Sequence, residues 1–145
     1  MTIVQHSILI QDSPENIMAT LIDARRWPEW YPGMTQASPD NRFPEKGGKV
    51  TFTTKSGIAS FQVTETVLDY QPAKLHAFQI EGMMSGNARW ELTPEGATTR
   101  LNTTFDYTLM GGPLGQIMDT LLVKRMNSSS LEEGLKNLKT RIEGR

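Results

Sequence analysis

The sequence predicts an α+β fold in which an antiparallel β-sheet wraps around one long C-terminal helix. Three observations lead to this prediction. A short amphipathic helix follows the first strand, the middle of the chain alternates apolar and polar residues with a period of two, and an apolar stripe with helical spacing occupies the C-terminal part. A long helix beside a strand-rich middle buries its stripe when the sheet curls around it. We expect this geometry to leave a cavity between sheet and helix.

The first elements are a strand and a short helix. The segment Thr2–Ile10 mixes apolar with polar residues, which predicts the first strand. Ser13 suits a helix N-cap because its hydroxyl accepts a hydrogen bond from a free backbone N–H, and Pro14 suits the first helical position, where no donor is lost. Pro28 and Pro32 then predict a short, turn-rich segment.

Repeated strands make up the middle of the chain. From about Gly47 the residues alternate with a period of two, which is typical of strands with one buried face. Turns containing glycine or proline separate these strands, so we predict an antiparallel meander. The turns fall at Ser56-Gly57, Gln71-Pro72, Glu81-Gly82 and Thr93-Pro94-Glu95-Gly96.

The last element is a long amphipathic helix that begins at Gly111-Gly112-Pro113. Its predicted length is roughly 28 residues, or 42 Å at 1.5 Å per residue. Residues at spacings of three, four or seven form its buried stripe: Leu114, Ile117, Leu121, Ser128, Leu131, Leu135, Leu138 and Ile142.

Composition excludes several classes of function. The 145 residues suffice for one domain with a full core, which we expect to span the whole chain. With no cysteine and two histidines, we expect no disulfide, no metal and no cofactor. The net charge of −1 and the lack of a membrane-length apolar run argue against nucleic acid and integral membrane association. We expect a cytoplasmic protein, monomeric or homodimeric. Ile142-Glu143-Gly144-Arg145 is either a protease site added for expression or a native helix end.

Five segments carry a family resemblance through their order and spacing: Ser13-Pro14-Glu15-Asn16-Ile17-Met18, Asp23…Trp27-Pro28-Glu29-Trp30, Arg89-Trp90-Glu91-Leu92-Thr93-Pro94, Thr99-Arg100-Leu101 and Gly111-Gly112-Pro113-Leu114-Gly115. Together they resemble the START-like, or helix-grip, superfamily, most closely its bacterial polyketide cyclase/dehydrase and lipid-transport family. The resemblance covers essentially the whole chain. It implies a seven-stranded antiparallel sheet around the long helix, two short helices after the first strand, and an apolar pocket for lipids, quinones, polyketides or aromatic compounds.

His76, Glu65 and Tyr107 are the candidate catalytic residues. A neutral His76 in the pocket is suited to exchange a hydrogen bond or proton with a carbonyl ligand, although a core histidine is the favoured interpretation. Glu65 interrupts an apolar face, where burial raises the pKa of a carboxyl group. The slightly preferred alternative is a β-bulge that turns Glu65 towards water. Tyr107 shares a face with Phe105 and Leu109, so its hydroxyl is a candidate ligand contact.

The candidate ligand-binding residues are mainly aromatic. Trp27, Trp30 and Tyr31 are candidates to rim the pocket mouth; the favoured alternative is that Trp27 and Trp30 plug one end of the sheet and anchor the short helix. Met83 and Met84 either gate the pocket or fill gaps in the core. The predicted ligand-binding set is Trp27, Trp30, Phe52, Phe61, Val63, His76, Phe78, Trp90, Phe105, Tyr107, Met118 and Leu121.

Three functions follow from these observations. The leading hypothesis is that the protein binds a small hydrophobic ligand between sheet and helix. The second is an enzyme of the cyclase, aromatase or dehydratase type that uses acid and base residues in the pocket. The third is a protein-interaction or assembly factor, which a large exposed apolar patch would favour over a cavity.

Overall fold

The computed structural model describes residues 2–56, 59–109 and 120–144. Two short helices follow the first strand, α1 (Pro14–Leu21) and a 3-10 helix (Ala24–Glu29). A longer helix, α2 (Thr120–Glu143), lies near the C-terminus. The strands are β1 (Thr2–Ile10), β2 (Met34–Pro39), β3 (Lys49–Ser56), β4 (Ala59–Gln71), β5 (Leu75–Gly82), β6 (Met84–Glu95) and β7 (Thr98–Leu109).

The strands form one seven-stranded sheet in the order β1-β7-β6-β5-β4-β3-β2. Every neighbouring pair is antiparallel, so β2 to β7 is a meander and β1 returns to lie beside β7. In that last pair Thr2 lies opposite Tyr107 and Ile10 opposite Thr99. The seven-stranded antiparallel sheet and the long C-terminal helix confirm the predicted helix-grip fold.

The two short helices are fixed by the features that the sequence predicts. Ser13 caps α1, because its hydroxyl accepts a hydrogen bond from the backbone N–H of Asn16 at 3.2 Å. Trp27 of the 3-10 helix donates its indole N–H to the carbonyl of Leu21 at the end of α1, at 2.8 Å. This bond satisfies a carbonyl at a helix end and holds the two helices together.

Strand β2 was not predicted from the sequence. Its pattern is weak because every residue of this short strand keeps some exposure, and it is an edge strand that pairs with β3. A register shift between Met34 and Gln36 disturbs the alternation further. An edge strand with a bulge buries too little apolar surface to produce a clear period of two.

Helix α2 buries the C-terminal half of the predicted stripe: Leu131, Leu135, Leu138 and Ile142. Polar contacts to the rest of the fold also hold this half in place, among them a hydrogen bond from the backbone N–H of Gln11 to Glu143 at 2.8 Å. Asn137 donates its side-chain N–H to the carbonyl of Trp30 at 3.0 Å, and the Lys139 ammonium donates to the carbonyl of Leu9 at 2.8 Å. Arg141 pairs with Glu29 at 2.7 Å. The predicted start of the helix, from Gly111 to Ile117, lies outside the described residues.

An aromatic cluster fills one end of the space between the sheet and the short helices. Trp27 meets the rings of Phe43, Phe52, Phe78 and Trp90 edge-on, with centroids 5.6 to 6.4 Å apart. Such T-shaped pairs add to the free energy gained from burial alone. Trp27 therefore anchors the 3-10 helix to the inner face of the sheet, next to the cavity described below.

Candidate functional site

A cavity of about 120 Å³ lies between the inner face of the sheet and α2. The 3-10 helix and the turn after it close one side, and strands β3 to β7 form the floor. Six aromatic side chains line it: Trp27, Trp30, Tyr31, Phe52, Trp90 and Phe105. A concave space with walls of this kind suits an apolar or aromatic molecule.

Five polar side chains also line the cavity: Thr54, Glu65, Thr103, Asn127 and Ser130. Among the described lining residues there is no lysine, arginine or histidine. Of these described residues, Glu65 and Tyr31 are the titratable ones. The cavity therefore offers hydrogen bonds but, within the part of the chain that is described, no positive charge for an anionic ligand.

Three of the lining residues have a buried polar atom without a hydrogen-bond partner among the residues that the structure describes. They are the carboxyl oxygen Oε2 of Glu65, the indole Nε1 of Trp30 and the hydroxyl of Thr103. Leaving such an atom unpaired destabilises a protein by about 1–3 kcal/mol, so most buried polar atoms are paired. A bound molecule with polar groups would satisfy these atoms.

Glu65 faces the inside of the sheet and not solvent. On β4 it pairs with Val50 of β3 and Ile80 of β5, and the register shift occurs only further along, between Val67 and Asp69. The preferred sequence interpretation, that a bulge turns Glu65 towards water, is therefore wrong, because the bulge comes after this residue.

Burial raises the pKa of Glu65 to about 8, so the carboxyl group keeps its proton at neutral pH. Burial also raises the pKa of Tyr31, and the negative charge that Glu65 carries when ionised raises it further. The two groups are therefore close enough to interact electrostatically, and both are uncharged at neutral pH. A neutral carboxylic acid has an O–H to donate, which a carboxylate does not.

His76 lies outside the cavity, in the aromatic core. It is fully buried, and its Nε2 donates to the carbonyl of Pro44 at 3.1 Å. The rings of Phe43, Tyr70 and Phe78 pack around it at centroid distances of 5.3, 4.9 and 4.3 Å. Burial lowers the pKa of His76 to about 4. The structure therefore places this candidate as a neutral core histidine.

The structure divides the predicted ligand-binding residues into several groups. Six of them line the cavity: Trp27, Trp30, Phe52, Val63, Trp90 and Phe105. Phe61 lines a second cavity, while Phe78 and Tyr107 are buried in the core and line neither. The hydroxyl of Tyr107 is buried and has no hydrogen-bond partner among the described residues. Its ring stacks on that of Phe105, with the ring centroids 4.7 Å apart. Met118 lies outside the described residues.

Leu121 is not a pocket residue, contrary to the sequence prediction. Its side chain is 56% exposed and lines neither cavity. Val123 of the same helix does line the second cavity. Two residues correspond to about 200° of rotation around a helix, so Leu121 points away from the side that faces the cavities.

Some lining residues were not recognised from the sequence. Thr103 shares a strand face with Phe105, so strand parity alone would have identified it. Asn127 and Ser130 were not recognised because polar residues on a helix are usually read as its solvated face. Here that part of α2 covers the cavity.

The second cavity, of about 90 Å³, adjoins the first. The two share four lining residues: Thr54, Met84, Asn127 and Ser130. Asn127 of α2 donates its side-chain N–H to the sulfur of Met84 on β6 at 3.4 Å. Side chains that can change rotamer thus separate the two spaces.

The described residues contain no group of three or more histidine, aspartate or glutamate side chains that is placed to hold a metal ion. No helix in the described ranges is long and apolar enough to cross a membrane.

Comparison with known proteins identifies relatives at the levels of family and fold. The family described as polyketide cyclase/dehydrase and lipid transport matches residues 1–143. No curated protein matches significantly.

Solved structures with the same fold include TTHA0849 from Thermus thermophilus, with 19% identity, a TM-score of 0.81, and 99% of this chain and 98% of that chain covered. The Zhui aromatase/cyclase from a Streptomyces species has 14% identity and a TM-score of 0.78, and the match covers 98% of this chain and 93% of that chain. A START superfamily protein from Mycobacterium smegmatis has 18% identity and a TM-score of 0.77, and the match covers 98% of this chain and 97% of that chain. At these identities the likeness concerns the fold.

Proposed function

Because this chain belongs to the polyketide cyclase/dehydrase and lipid-transport family, we propose that it binds a small, largely apolar molecule between its sheet and α2. The observation that carries the proposal is the aromatic-lined cavity that contains three unpartnered polar atoms. A filled core of this size would leave neither the space nor the unpaired atoms.

The size of the cavity limits what it holds. Its volume of about 120 Å³ is similar to that of engineered cavities of roughly 150 Å³, which take up benzene. We therefore propose that the part of the ligand held here is about the size of one substituted aromatic ring. A longer ligand would also extend into the second cavity, past Met84 and Asn127.

Two experiments test this proposal. The first is to purify the protein without added ligand, extract it with organic solvent and search the extract by mass spectrometry for a stoichiometric compound. The second is to titrate α-methylstyrene, a single-ring probe, into the labelled protein and follow amide chemical shifts. We expect saturable shifts at residues around the cavity.

A matched pair of variants locates the binding site. Ala88 lines the cavity, whereas Ala19 is exposed on α1. Ala88→Leu adds three carbons inside the cavity and is expected to abolish the saturable shifts, while Ala19→Leu adds the same atoms on the surface and should bind as the wild type does. If both variants bind equally well, the probe binds elsewhere and the proposed site is wrong.

A second candidate function, acid catalysis of the cyclase or dehydratase type, is favoured by one observation. Glu65 lines the cavity and keeps its proton at neutral pH, as a general acid must. His76 and Tyr107, the other two candidates, do not line the cavity. Such catalysis would therefore depend on Glu65, and we expect Glu65→Gln to abolish turnover of any substrate while preserving its binding.

The interaction-factor hypothesis has less support. It would be favoured by a large exposed apolar patch in place of a cavity. The presence of an aromatic-lined cavity supports ligand binding instead.

A further inference from the structure

Glu65 and Trp30 indicate which chemical group of a ligand the cavity recognises. We propose that the protonated carboxyl group of Glu65 and the indole N–H of Trp30 together recognise the carbonyl oxygen of an uncharged aromatic ligand. This inference rests on the proposed function, because it assumes that the cavity is the binding site. The ligand class it defines is an aryl ketone, or a larger molecule that carries one.

Trp30 favours a ligand that supplies a hydrogen-bond acceptor. Its side chain is 4% exposed, lines the cavity and has an Nε1 without a partner. An indole N–H donates and never accepts, so only an acceptor atom satisfies it. A purely hydrocarbon ligand would leave this donor unpaired in an even drier environment, which is unfavourable.

Glu65 supplies the second donor. Its Oε2 is buried without a partner, and β3 and β5 place the apolar residues Val50 and Ile80 beside it. No cation lines the cavity beside it among the described residues, so the neutral acid is the favoured form, and burial raises its pKa to about 8. The last torsion of a glutamate side chain is soft, so its O–H can turn towards a ligand atom.

The surroundings of Glu65 favour an uncharged ligand. The turn after the 3-10 helix contributes Tyr31, whose pKa is also raised, and α2 contributes the uncharged Asn127 and Ser130. No basic side chain is found among the described residues that line this cavity, so an anionic group held here would find no opposite charge; Lys55 lines only the adjoining second cavity. An ammonium ligand would require Glu65 to ionise and would leave the N–H of Trp30 without an acceptor. A carbonyl oxygen, with two lone pairs, accepts from both donors.

A pair of isosteric probes tests the inference. Acetophenone and α-methylstyrene have nearly the same shape, but the first has an oxygen where the second has a CH₂ group. We expect the full chain at pH 6.5 to bind the ketone about tenfold more tightly than the alkene, as two modest hydrogen bonds would provide. The dissociation constants come from methyl chemical shifts, because methyl protons do not exchange with water at either pH used.

The preference for the ketone should depend on pH in a predictable direction. At pH 9.5 Glu65 has lost its proton and cannot donate, so the ratio of the two dissociation constants should fall towards one. In Glu65→Gln, which keeps an N–H donor but does not titrate in this range, the ratio should be the same at both pH values. In Trp30→Phe the ratio should fall at pH 6.5, because one donor is missing.

Each alternative outcome has a distinct meaning. Equal binding of ketone and alkene by the wild type at pH 6.5 overturns this inference but leaves the proposed function intact. Binding of neither probe overturns both. Tighter binding of 1-phenylethylamine than of acetophenone at pH 6.5 overturns the inference in favour of an ionised Glu65 that recognises a cation. The wild-type ratio and its pH dependence remain decisive even if a variant fails to fold.

Discussion

The protonated Glu65 should make the stability of the protein decrease as the pH rises above neutrality. Burial raises the pKa of Glu65 from 4.5 to about 8, so the folded state holds a proton that the unfolded state releases. The stabilisation is complete below pH 4.5 and is lost as the pH rises through 8. Each pH unit in this window lowers the free energy of unfolding by about 1.4 kcal/mol, which gives an upper limit of roughly 5 kcal/mol in total.

His76 opposes this trend in the lower part of the range. Burial lowers its pKa from 6.5 to about 4, so it stabilises the fold above pH 6.5 and that stabilisation is lost as the pH falls towards 4. Between pH 4.5 and 6.5 the two slopes have opposite signs and cancel. From pH 6.5 to 8 only the slope of Glu65 remains, and it amounts to roughly 2 kcal/mol.

Urea unfolding measured at half-unit intervals from pH 5 to 9 would show both the range in which the two slopes cancel and the range in which only the slope of Glu65 remains. We expect the difference in unfolding free energy between the wild type and Glu65→Gln to change by roughly 2 kcal/mol from pH 6.5 to 8, with the wild type becoming relatively less stable. Subtracting the variant removes contributions from every other titrating group. Parallel curves for the two proteins across this window would refute the assignment of a buried, protonated Glu65.

Four further changes have expected outcomes. His76→Phe removes the acid-sensitive core group, so the loss of stability that His76 causes between pH 6.5 and 4, at most roughly 3 kcal/mol, should disappear from acid titrations. Met84→Ala removes part of the partition between the two cavities, so naphthalene should bind more tightly relative to α-methylstyrene in NMR titrations. Trp27→Ala deletes a core ring and the donor to Leu21, and urea unfolding should show a loss of roughly 3–5 kcal/mol. Ser13→Ala removes the cap of α1 and should cost about 1 kcal/mol in the same assay.

The fold could be predicted because its signals are local and consistent along the chain. Ser13 and Pro14 fix the start of α1 by their own chemistry, and alternation identifies most of the strands. The stripe from Leu131 to Ile142 identifies the packed half of α2. Strand β2 was not predicted, because an exposed edge strand buries few side chains and its sequence therefore shows little alternation of apolar and polar residues.

The site was only partly predictable, because strand parity gives the face of a residue but not its position along the cavity. His76 and Ile80 share one face of β5, yet the first packs against Phe43 in the core and the second lines the cavity. The orientation of Glu65 depended on where a bulge occurs, and a single residue of register decides that. The alternation of apolar and polar residues predicts neither how far along the cavity a side chain lies nor where a bulge occurs.

Different residues of α2 attach the helix to the fold and line the cavity. Residues 137–141 hold the helix through polar contacts to β1, the 3-10 helix and the residue after it. Asn127 and Ser130 face the ligand space, while Ser128 between them bonds His6 of β1 at 2.9 Å. Because Asn127 and Ser130 make none of these contacts to β1 or the 3-10 helix, substitutions there that alter ligand preference need not loosen the attachment of the helix. These two positions are therefore free to diverge in evolution, or to be redesigned, while the same contacts keep the helix in place.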